Sequence, residues 1–259
     1  MPNQPSFRPP LDGDALAAVA GARWSVTLLP SAPSTNAVAA DRARPGLVVV
    51  ADHQTEGRGR LDRTWQTPPG GALTFSAVVD PGIPDSHWPL LPLAAGIAVA
   101  VGVRRHGLAA SVKWPNDVLY GDRKLAGILL ERCSGDARRP LAVVGIGVNV
   151  DQRADELPVG TATSLTLEGV EVSRTALLGD LLAALGDEID GLAEPEEFLE
   201  RYRNECVTLG RQVDVHLPHD EVVSGRASTV DGSGRLVLDT PQGRRAVGAG
   251  DVVHVRPVG

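Results

Sequence analysis

Lysine is almost absent from this sequence. Lysine and arginine together number 25 among 259 residues, and only Lys113 and Lys124 are lysine. Arginine therefore supplies nearly all generic positive charge. The lysine side chain ends in a compact ammonium, whereas arginine ends in a planar guanidinium. The two side chains are therefore not interchangeable at a chemical site. Both lysines fall within the segment 113–131. Chance is the alternative explanation for their proximity, but we interpret it as evidence of a chemical site.

Aromatic residues are also scarce, at 3% of the chain, and the formal net charge is −7. Both features argue against a nucleic-acid-binding protein, which is usually basic and places aromatic rings among its charges. No apolar run reaches membrane-spanning length, and residues 1–10 lack a signal-peptide core. Cys133 and Cys206 are the only cysteines. We therefore predict a reduced, cytoplasmic protein without nucleic-acid or membrane partners.

Several common catalytic motifs are missing. No Gly-Lys-Ser/Thr sequence marks a phosphate-binding Walker loop, and Gly145-Ile146-Gly147 lacks the third glycine of a dinucleotide fingerprint. No Gly-x-Ser-x-Gly elbow indicates a serine hydrolase. No cluster of His, Cys and carboxylate residues has the spacing of a zinc site.

The hydrophobic pattern predicts an α+β fold with a mixed, largely antiparallel sheet, because hairpin-connected strands follow one another and the later helices come as a pair. Strands are predicted over 24–29, 47–51, 73–79, 111–114, 118–120, 124–131 and 141–150. The last of these is nearly all apolar, so we expect it to be buried on both faces. Residues 1–10 are expected to form a disordered lead-in. Helices are predicted over 15–20, 37–40, 88–106, 173–192 and 195–205, with N-terminal caps at Asp12, at Ser34 or Thr35, and at Ser173. After Cys206 short strands predict a small all-β unit over 212–217, 221–230, 234–238 and 245–256.

The stretch 53–65 connects two of the predicted strands and contains two glycines and three arginines. Glycine lets the backbone approach a ligand, and arginine suits phosphate and carboxylate. We interpret this stretch as an anion-binding loop for a nucleotide. A solvated basic turn is the alternative.

A second motif, Lys113-Trp114-Pro115-Asn116-Asp117, combines a lysine, a turn and a carboxylate. Asp117 can pair with a lysine or hold Mg²⁺ through one carboxylate beside phosphates. Lys124 then begins an apolar strand in which Gly127 admits a ligand against the backbone. These features predict a cavity in which ATP activates a substrate carboxylate, since no nucleophilic Ser or Cys is evident.

In this order, the motifs resemble the biotin protein ligase family. The resemblance rests on Gly57-Arg58-Gly59-Arg60 with Trp65, Lys113 to Asp117, Lys124-Leu125-Ala126-Gly127-Ile128-Leu129-Leu130-Glu131, and Gly145-Ile146-Gly147-Val148-Asn149-Val150, together with Ser34-Thr35-Asn36 and Gln54. It spans nearly the whole chain. It implies a catalytic domain like that of class II aminoacyl-tRNA synthetases over 1–207 and an SH3-like barrel over 208–259.

The resemblance also implies an activity. Biotin and ATP form biotinyl-AMP, and biotin then passes to a lysine of a carboxyl-carrier protein, with Mg²⁺ at Asp117. The catalytic residues implied are Lys124, Arg58, Arg60 and Asp117. The implied ligand-binding residues are Ser34, Thr35, Asn36, Gln54, Gly57, Arg58, Gly59, Arg60, Arg63, Trp65, Lys113, Asn116, Lys124, Gly127, Gly145, Gly147 and Asn149.

Two departures from the family pattern stand out. Leu61-Asp62-Arg63 replaces a further Gly-Arg, which puts the flexibility of the loop in question. Only about thirty residues precede Ser34, too few for the DNA-binding domain that some members carry, so we expect no repressor function and a monomer or weak homodimer. The alternatives are a lipoate ligase or octanoyltransferase of the same fold, and a non-catalytic biotin- or nucleic-acid-binding module.

Overall fold

In the part of the chain that the structure describes, the larger sheet has seven strands. The computed structural model describes residues 8–61, 63–134 and 139–255. The strands are β1 Ser25–Leu29, β2 Leu47–Ala51, β3 Ala72–Val79, β4 Ser111–Lys113, β5 Asp117–Tyr120, β6 Arg123–Cys133 and β7 Leu141–Asn149. Their order is β1-β2-β3-β7-β6-β5-β4. The β1–β2 pair is parallel, and every other adjacent pair described in this sheet is antiparallel, which confirms the predicted α+β class.

Among the described residues, five α-helices cover this sheet: α1 Gly13–Ala20, α2 Thr35–Asp41, α3 Leu91–Arg104, α4 Arg174–Asp190 and α5 Pro195–Glu205. Asp12 and Ser173 cap α1 and α4 as predicted, accepting hydrogen bonds from Ala15 N and Ala176 N. At α2 the predicted position of the cap is confirmed, but its side-chain hydrogen bond is not formed. Ser34 occupies the N-cap position without a side-chain cap bond, and the Gln54 amide oxygen accepts from Thr35 N at 2.7 Å.

The helix predicted over 88–106 begins earlier, as a 3₁₀ turn over Asp85–Leu90 that continues into α3. By length and composition alone, Asp85–Arg104 is long and apolar enough to cross a membrane. This corrects the expectation that no apolar run reaches membrane-spanning length. However, 72% of its apolar window is buried inside the protein, as in a core helix.

The two faces of the sheet differ in a way that creates a cavity. Apolar side chains such as Phe75 and Val144 belong to the main core, which includes α3 and α4. On the opposite face, toward α2, the alternating positions are small or polar: Thr74, Ser76, Gly145 and Gly147. Because β7 is buried along its whole length, as predicted, the small residues leave space without exposing the sheet.

The small C-terminal unit is a five-stranded antiparallel sheet in the order β11-β10-β9-β8-β12. Its strands are β8 Gln212–His216, β9 Val222–Val230, β10 Leu236–Thr240, β11 Gly243–Val247 and β12 Asp251–His254. The single strand predicted over 245–256 is wrong, since β11 and β12 are separate and Arg256 lies outside the described residues. The break ends at Gly250, where φ is 148° and an added Cβ would lie 2.5 Å from Val215.

The N-terminal lead-in, expected to be disordered, is bonded where it is described. Arg8 Nη2 donates to the Asp151 carbonyl at 2.6 Å, and Arg174 Nη2 donates to the Pro9 carbonyl at 2.7 Å. Residues 1–7 lie outside the described part of the chain.

Candidate active site

A cleft of about 820 Å³, including the solvent at its mouth, lies between α2, the 57–65 loop and the start of β12. Most of the site residues predicted from the sequence line it. They are Ser34, Thr35, Asn36, Gln54, Arg58, Gly59, Arg60, Arg63, Trp65, Asn116, Asp117, Lys124, Gly127, Gly145 and Gly147. Gly57, Lys113 and Asn149 are predicted residues that do not line it.

The floor of the cleft is a pair of glycines. Gly127 of β6 lies opposite Gly147 of β7 in the sheet register. The Trp65 indole rests on this pair, so closely that a Cβ on Gly147 would lie 2.6 Å from the ring. Lys124 Nζ is 5.8 Å from the centroid of the same ring. The two glycines therefore make room for the indole of Trp65, the last residue of the 57–65 loop.

The 57–65 loop folds back on itself as a short hairpin. Gly59 N donates to the Arg63 carbonyl at 2.6 Å, and Trp65 N donates to the Gly57 carbonyl at 2.7 Å. Gly57 thus shapes the loop from outside the cleft lining. At the tip Leu61 takes a left-handed φ of 53° and is 51% exposed. Asp62, the other departure from the family pattern, lies outside the described residues.

One end of the cleft is polar and deep. The buried Asn36 donates from Nδ2 to Glu131 Oε2 at 2.6 Å, and its Oδ1 lies 2.5 Å from Ser76 Oγ. Arg58 Nη2 donates to the same Glu131 oxygen at 3.1 Å. An added Cβ on Gly145 would lie 2.2 Å from Asn36 Oδ1, so this glycine admits the amide.

The other end of the cleft is charged. Lys124 Nζ lies 2.5 Å from Asp117 Oδ1. Lys113 stands opposite Asp117 in the β4–β5 register, just outside the cleft lining. Burial lowers the pKa of Lys113, an effect that the charges of Asp117 and Asp251 oppose. Both lysines of the chain therefore flank one carboxylate.

Two arginines of the loop reach the C-terminal unit. Arg60 Nη1 donates to Asn116 Oδ1 at 2.9 Å and to the Gly250 carbonyl at 3.4 Å. Arg63 Nη2 donates to Asp251 Oδ2 at 2.6 Å. Burial lowers the pKa of Arg60. Burial alone would raise the pKa of Asp251, but the Arg63 hydrogen bond and nearby positive charges hold it below its ordinary value.

Asn149, predicted to contact the ligand, has its amide engaged within the protein. Its Nδ2 donates to the Thr163 carbonyl at 2.8 Å, and its Oδ1 accepts from Gln152 Nε2 at 2.8 Å. These bonds hold the segment that follows β7.

Sequence reasoning missed Glu131, Ser76, Gly250 and Asp251. Glu131 carried a signal, because Gly127, Leu129 and Glu131 alternate along β6 and so face the same side. Asp251 has no such signal in the sequence, because its partner Arg63 is far away along the chain and lies in a different unit.

Comparison with known proteins matches this architecture. Residues 28–151 match the biotin/lipoate A/B protein ligase family, and residues 208–255 match the biotin protein ligase C-terminal domain. A biotin–[acetyl-CoA-carboxylase] ligase of Mycobacterium tuberculosis is 36% identical, covering 99% of this chain and 100% of the relative. The bifunctional ligase/repressor BirA of Escherichia coli is 32% identical over 83% of this chain and 69% of its own length.

A solved structure shares the fold. Biotin protein ligase from Aquifex aeolicus, in complex with biotin and ATP, superposes with a TM-score of 0.77 at 28% identity, covering 90% of this chain and 99% of that one. With the cleft, the glycine floor and the two-unit architecture, these matches identify the chain as a member of the biotin protein ligase family.

Proposed function

We propose that this protein is an ATP-dependent biotin protein ligase with two half-reactions. In the first, a biotin carboxylate oxygen bonds to the α-phosphorus of ATP and pyrophosphate leaves. In the second, the amine of a carrier-protein lysine bonds to the biotin carbonyl carbon and AMP leaves. We assign residues 1–207 to the catalytic domain and 208–259 to the SH3-like domain.

The observation that carries this proposal is the convergence of cationic side chains on one cleft. Arg58, Arg60, Arg63 and Lys124 all line it. A carboxylic acid is ionised near pH 7 and needs no base to attack phosphorus, so the barrier arises from bringing two anions together. Fixed positive groups aimed at the developing charge lower such a barrier.

The polar end of the cleft suits the head of biotin. Ser34 is buried, and its hydroxyl makes no capping bond to α2. We propose that Ser34, Thr35 and Gln54, with Gly57 and Arg58, contact biotin. Asn36 was also implied to contact biotin. Because both ends of its amide are engaged, we propose that it instead positions Glu131 and Ser76.

The charged end suits ATP. We place Lys124 between the biotin carboxylate and the α-phosphate, where its ammonium stabilises both. The Trp65 indole Nε1 is buried without a hydrogen-bond partner among the described residues, as expected of a donor that awaits a ligand. The remaining residues that we assign to the nucleotide are Gly59, Arg60, Arg63, Lys113, Asn116, Gly127, Gly147 and Asn149. We assign Gly145 to the biotin end, where it makes room for the Asn36 amide.

Mg²⁺ is the expected cofactor, and the donor set fits a weakly ligated ion. No three His, Cys, Asp or Glu side chains converge on a metal site anywhere in the described chain. Asp117 is therefore proposed to hold Mg²⁺ with the help of water and substrate phosphates, an arrangement that this ion favours. The bound ion would supply positive charge at the phosphates.

We propose Asp117 as the base that accepts the acceptor lysine's proton in the second step. An Asp117→Asn enzyme supplied with preformed biotinyl-AMP should transfer biotin slowly, and transfer at the normal rate would exclude this role. Cytoplasmic location, the absence of nucleic-acid partners, and a monomer or weak homodimer remain our expectations.

The test of the overall proposal is mass spectrometry of a biotin carboxyl-carrier domain incubated with the protein, biotin and ATP. Biotin attached to a single lysine supports the proposal. Attachment of lipoate or octanoate in its place would support the neighbouring ligases, and no attachment with tight biotin binding would indicate a non-catalytic module.

A further inference from the structure

A second cavity of about 520 Å³ adjoins the active cleft. Arg60, Asn116 and Ile128 line both spaces, so these three residues form the wall between them. Arg60 and Asn116 are themselves bonded at 2.9 Å. The second cavity, called the side slot here, therefore ends at the atoms that border the charged end of the cleft.

The side slot exists because β6 is longer than its neighbour. The β5 pairing begins with Asp117 opposite Gly127, whereas β6 continues to Cys133 paired to β7. Beyond Ile128 the β6 edge thus has no strand on its β5 side in the described structure. The gap is bordered by the start of α3 and by the C-terminal unit, where Gly234 and Gly248 line the slot.

The walls of the side slot are mainly apolar. Leu93 and Trp114 are buried, and Leu130 is half-buried. Three prolines complete the lining, Pro89, Pro92 and Pro115. Arg60 is the one charged side chain among the described lining residues. A nucleotide phosphate would meet too little positive charge here, and the slot suits a narrow apolar chain that ends in a polar group.

Building on the function proposed above, we infer that the side slot admits the acceptor lysine of the carrier protein. Four methylenes of a lysine pack well on apolar walls while the nitrogen remains free to reach a polar end. At the inner end, Asn116 Oδ1 is a hydrogen-bond acceptor with a second lone pair available. The Arg60 charge disfavours a protonated amine and so favours the nucleophilic neutral form.

This route also explains how the second substrate arrives while the first intermediate stays covered. Residues of the 57–65 loop line the main cleft. We expect this loop to cover the adenylate, which would protect the mixed anhydride from water. The amine enters from the side and bonds to the biotin carbonyl carbon. The carbon–oxygen bond to AMP breaks with its electron pair, and the amine proton passes to the neighbouring Asp117.

A steric block tests the route. Gly248 is exposed, and a Cβ there would be 3.7 Å from Arg235, which leaves room for a larger side chain. In Gly248→Trp we expect kcat/KM for the carrier domain to fall at least about tenfold, because misplacing a reacting group by about an ångström is costly. Biotin-dependent ATP–pyrophosphate exchange should stay within about twofold of wild type, since Gly248 does not line the cleft in which adenylation is proposed.

Two controls make the test specific. Ala249→Trp places the same bulk on an exposed neighbour that does not line the slot and should transfer biotin normally. Hydroxylamine, a nucleophile small enough to bypass the slot, should trap the adenylate equally in wild type and Gly248→Trp. Normal transfer by Gly248→Trp, or equal loss of exchange and transfer, would overturn the inference. No exchange by the wild-type protein would instead refute the proposed function as well.

Discussion

Lys124 Nζ and Asp117 Oδ1 form an ion pair of 2.5 Å across the adjacent strands β6 and β5. The pair lies at the charged end of the cleft, with the lysine side chain also over the Trp65 ring. Asp117 thus holds the ammonium in place before substrates bind. We propose that an ATP phosphate replaces Asp117 as the partner of this ammonium.

Replacing Lys124 should abolish adenylation selectively. In Lys124→Ala we expect kcat for biotin-dependent adenylation to fall about 10²–10³-fold, the usual cost of removing one fixed charge-stabilising group from an active site. Arg123→Ala is the matched control, because Arg123 is adjacent, exposed and paired with Glu168 outside the cleft. Equal activity of Lys124→Ala and Arg123→Ala in a stopped assay for biotinyl-AMP would rule out the role.

Adding one methyl group to the floor of the cleft should displace the 57–65 loop. A Cβ on Gly147 would lie 2.6 Å from the Trp65 ring, so in Gly147→Ala the ring must move. We expect a shifted tryptophan emission spectrum and a loss of about 10²-fold in kcat/KM for ATP, since small misplacements in a site are costly. Gly160→Ala, where nothing lies within 4 Å of the new methyl group, should match wild type in both measurements.

Glu131 should control biotin affinity through Asn36 and Arg58. In Glu131→Ala we expect the KM for biotin to rise about tenfold, which corresponds to about 1.4 kcal/mol and suits the loss of a charged hydrogen bond. Glu131→Gln retains an oxygen for Asn36 Nδ2 and should show a smaller rise. The positioning role is excluded if steady-state kinetics give both variants the wild-type KM for biotin.

His254 should make the C-terminal unit sensitive to acid. Burial, assisted by the charges of Lys113 and Arg211, lowers the pKa of His254 from 6.5 to about 4. Between these values the unfolded chain binds a proton that the folded protein does not, so stability falls as pH drops through that window. Urea midpoints from pH 7.5 to 4.5 should therefore fall less steeply for His254→Asn than for wild type.

The exposed His216 provides the control for this effect. It lies on β8 of the same unit, and His216→Asn should reproduce the wild-type slope. Parallel profiles for wild type and His254→Asn would show that His254 does not set the acid sensitivity.

The sequence predicted most of the fold because its signals are local. The apolar runs of β3 and β7 and the caps Asp12 and Ser173 each depend on neighbouring residues, and each was confirmed. The break between β11 and β12 was missed because the sequence pattern of 245–256 is that of one continuous strand. The break depends on how Gly250 packs against Val215, which the sequence does not show.

The candidate site was predictable only in part, for a similar reason. Motif residues such as Lys124 and Asp117 lie close together in sequence and meet across a hairpin. Asp251 meets Arg63 only because two separate units dock, which no local pattern encodes. Asn149 lies outside the lining of the cleft and its amide donates to the Thr163 carbonyl, so its predicted contact with the nucleotide stays a proposal.

The most direct test of the central claim is biotin-dependent ATP–pyrophosphate exchange, run with lipoate and octanoate as alternative acids and with Lys124→Ala as a second enzyme. We predict exchange with biotin alone, and its loss in the variant. Exchange supported by lipoate or octanoate, or unchanged exchange in Lys124→Ala, would contradict the assignment of this cleft as a lysine-dependent biotin adenylation site.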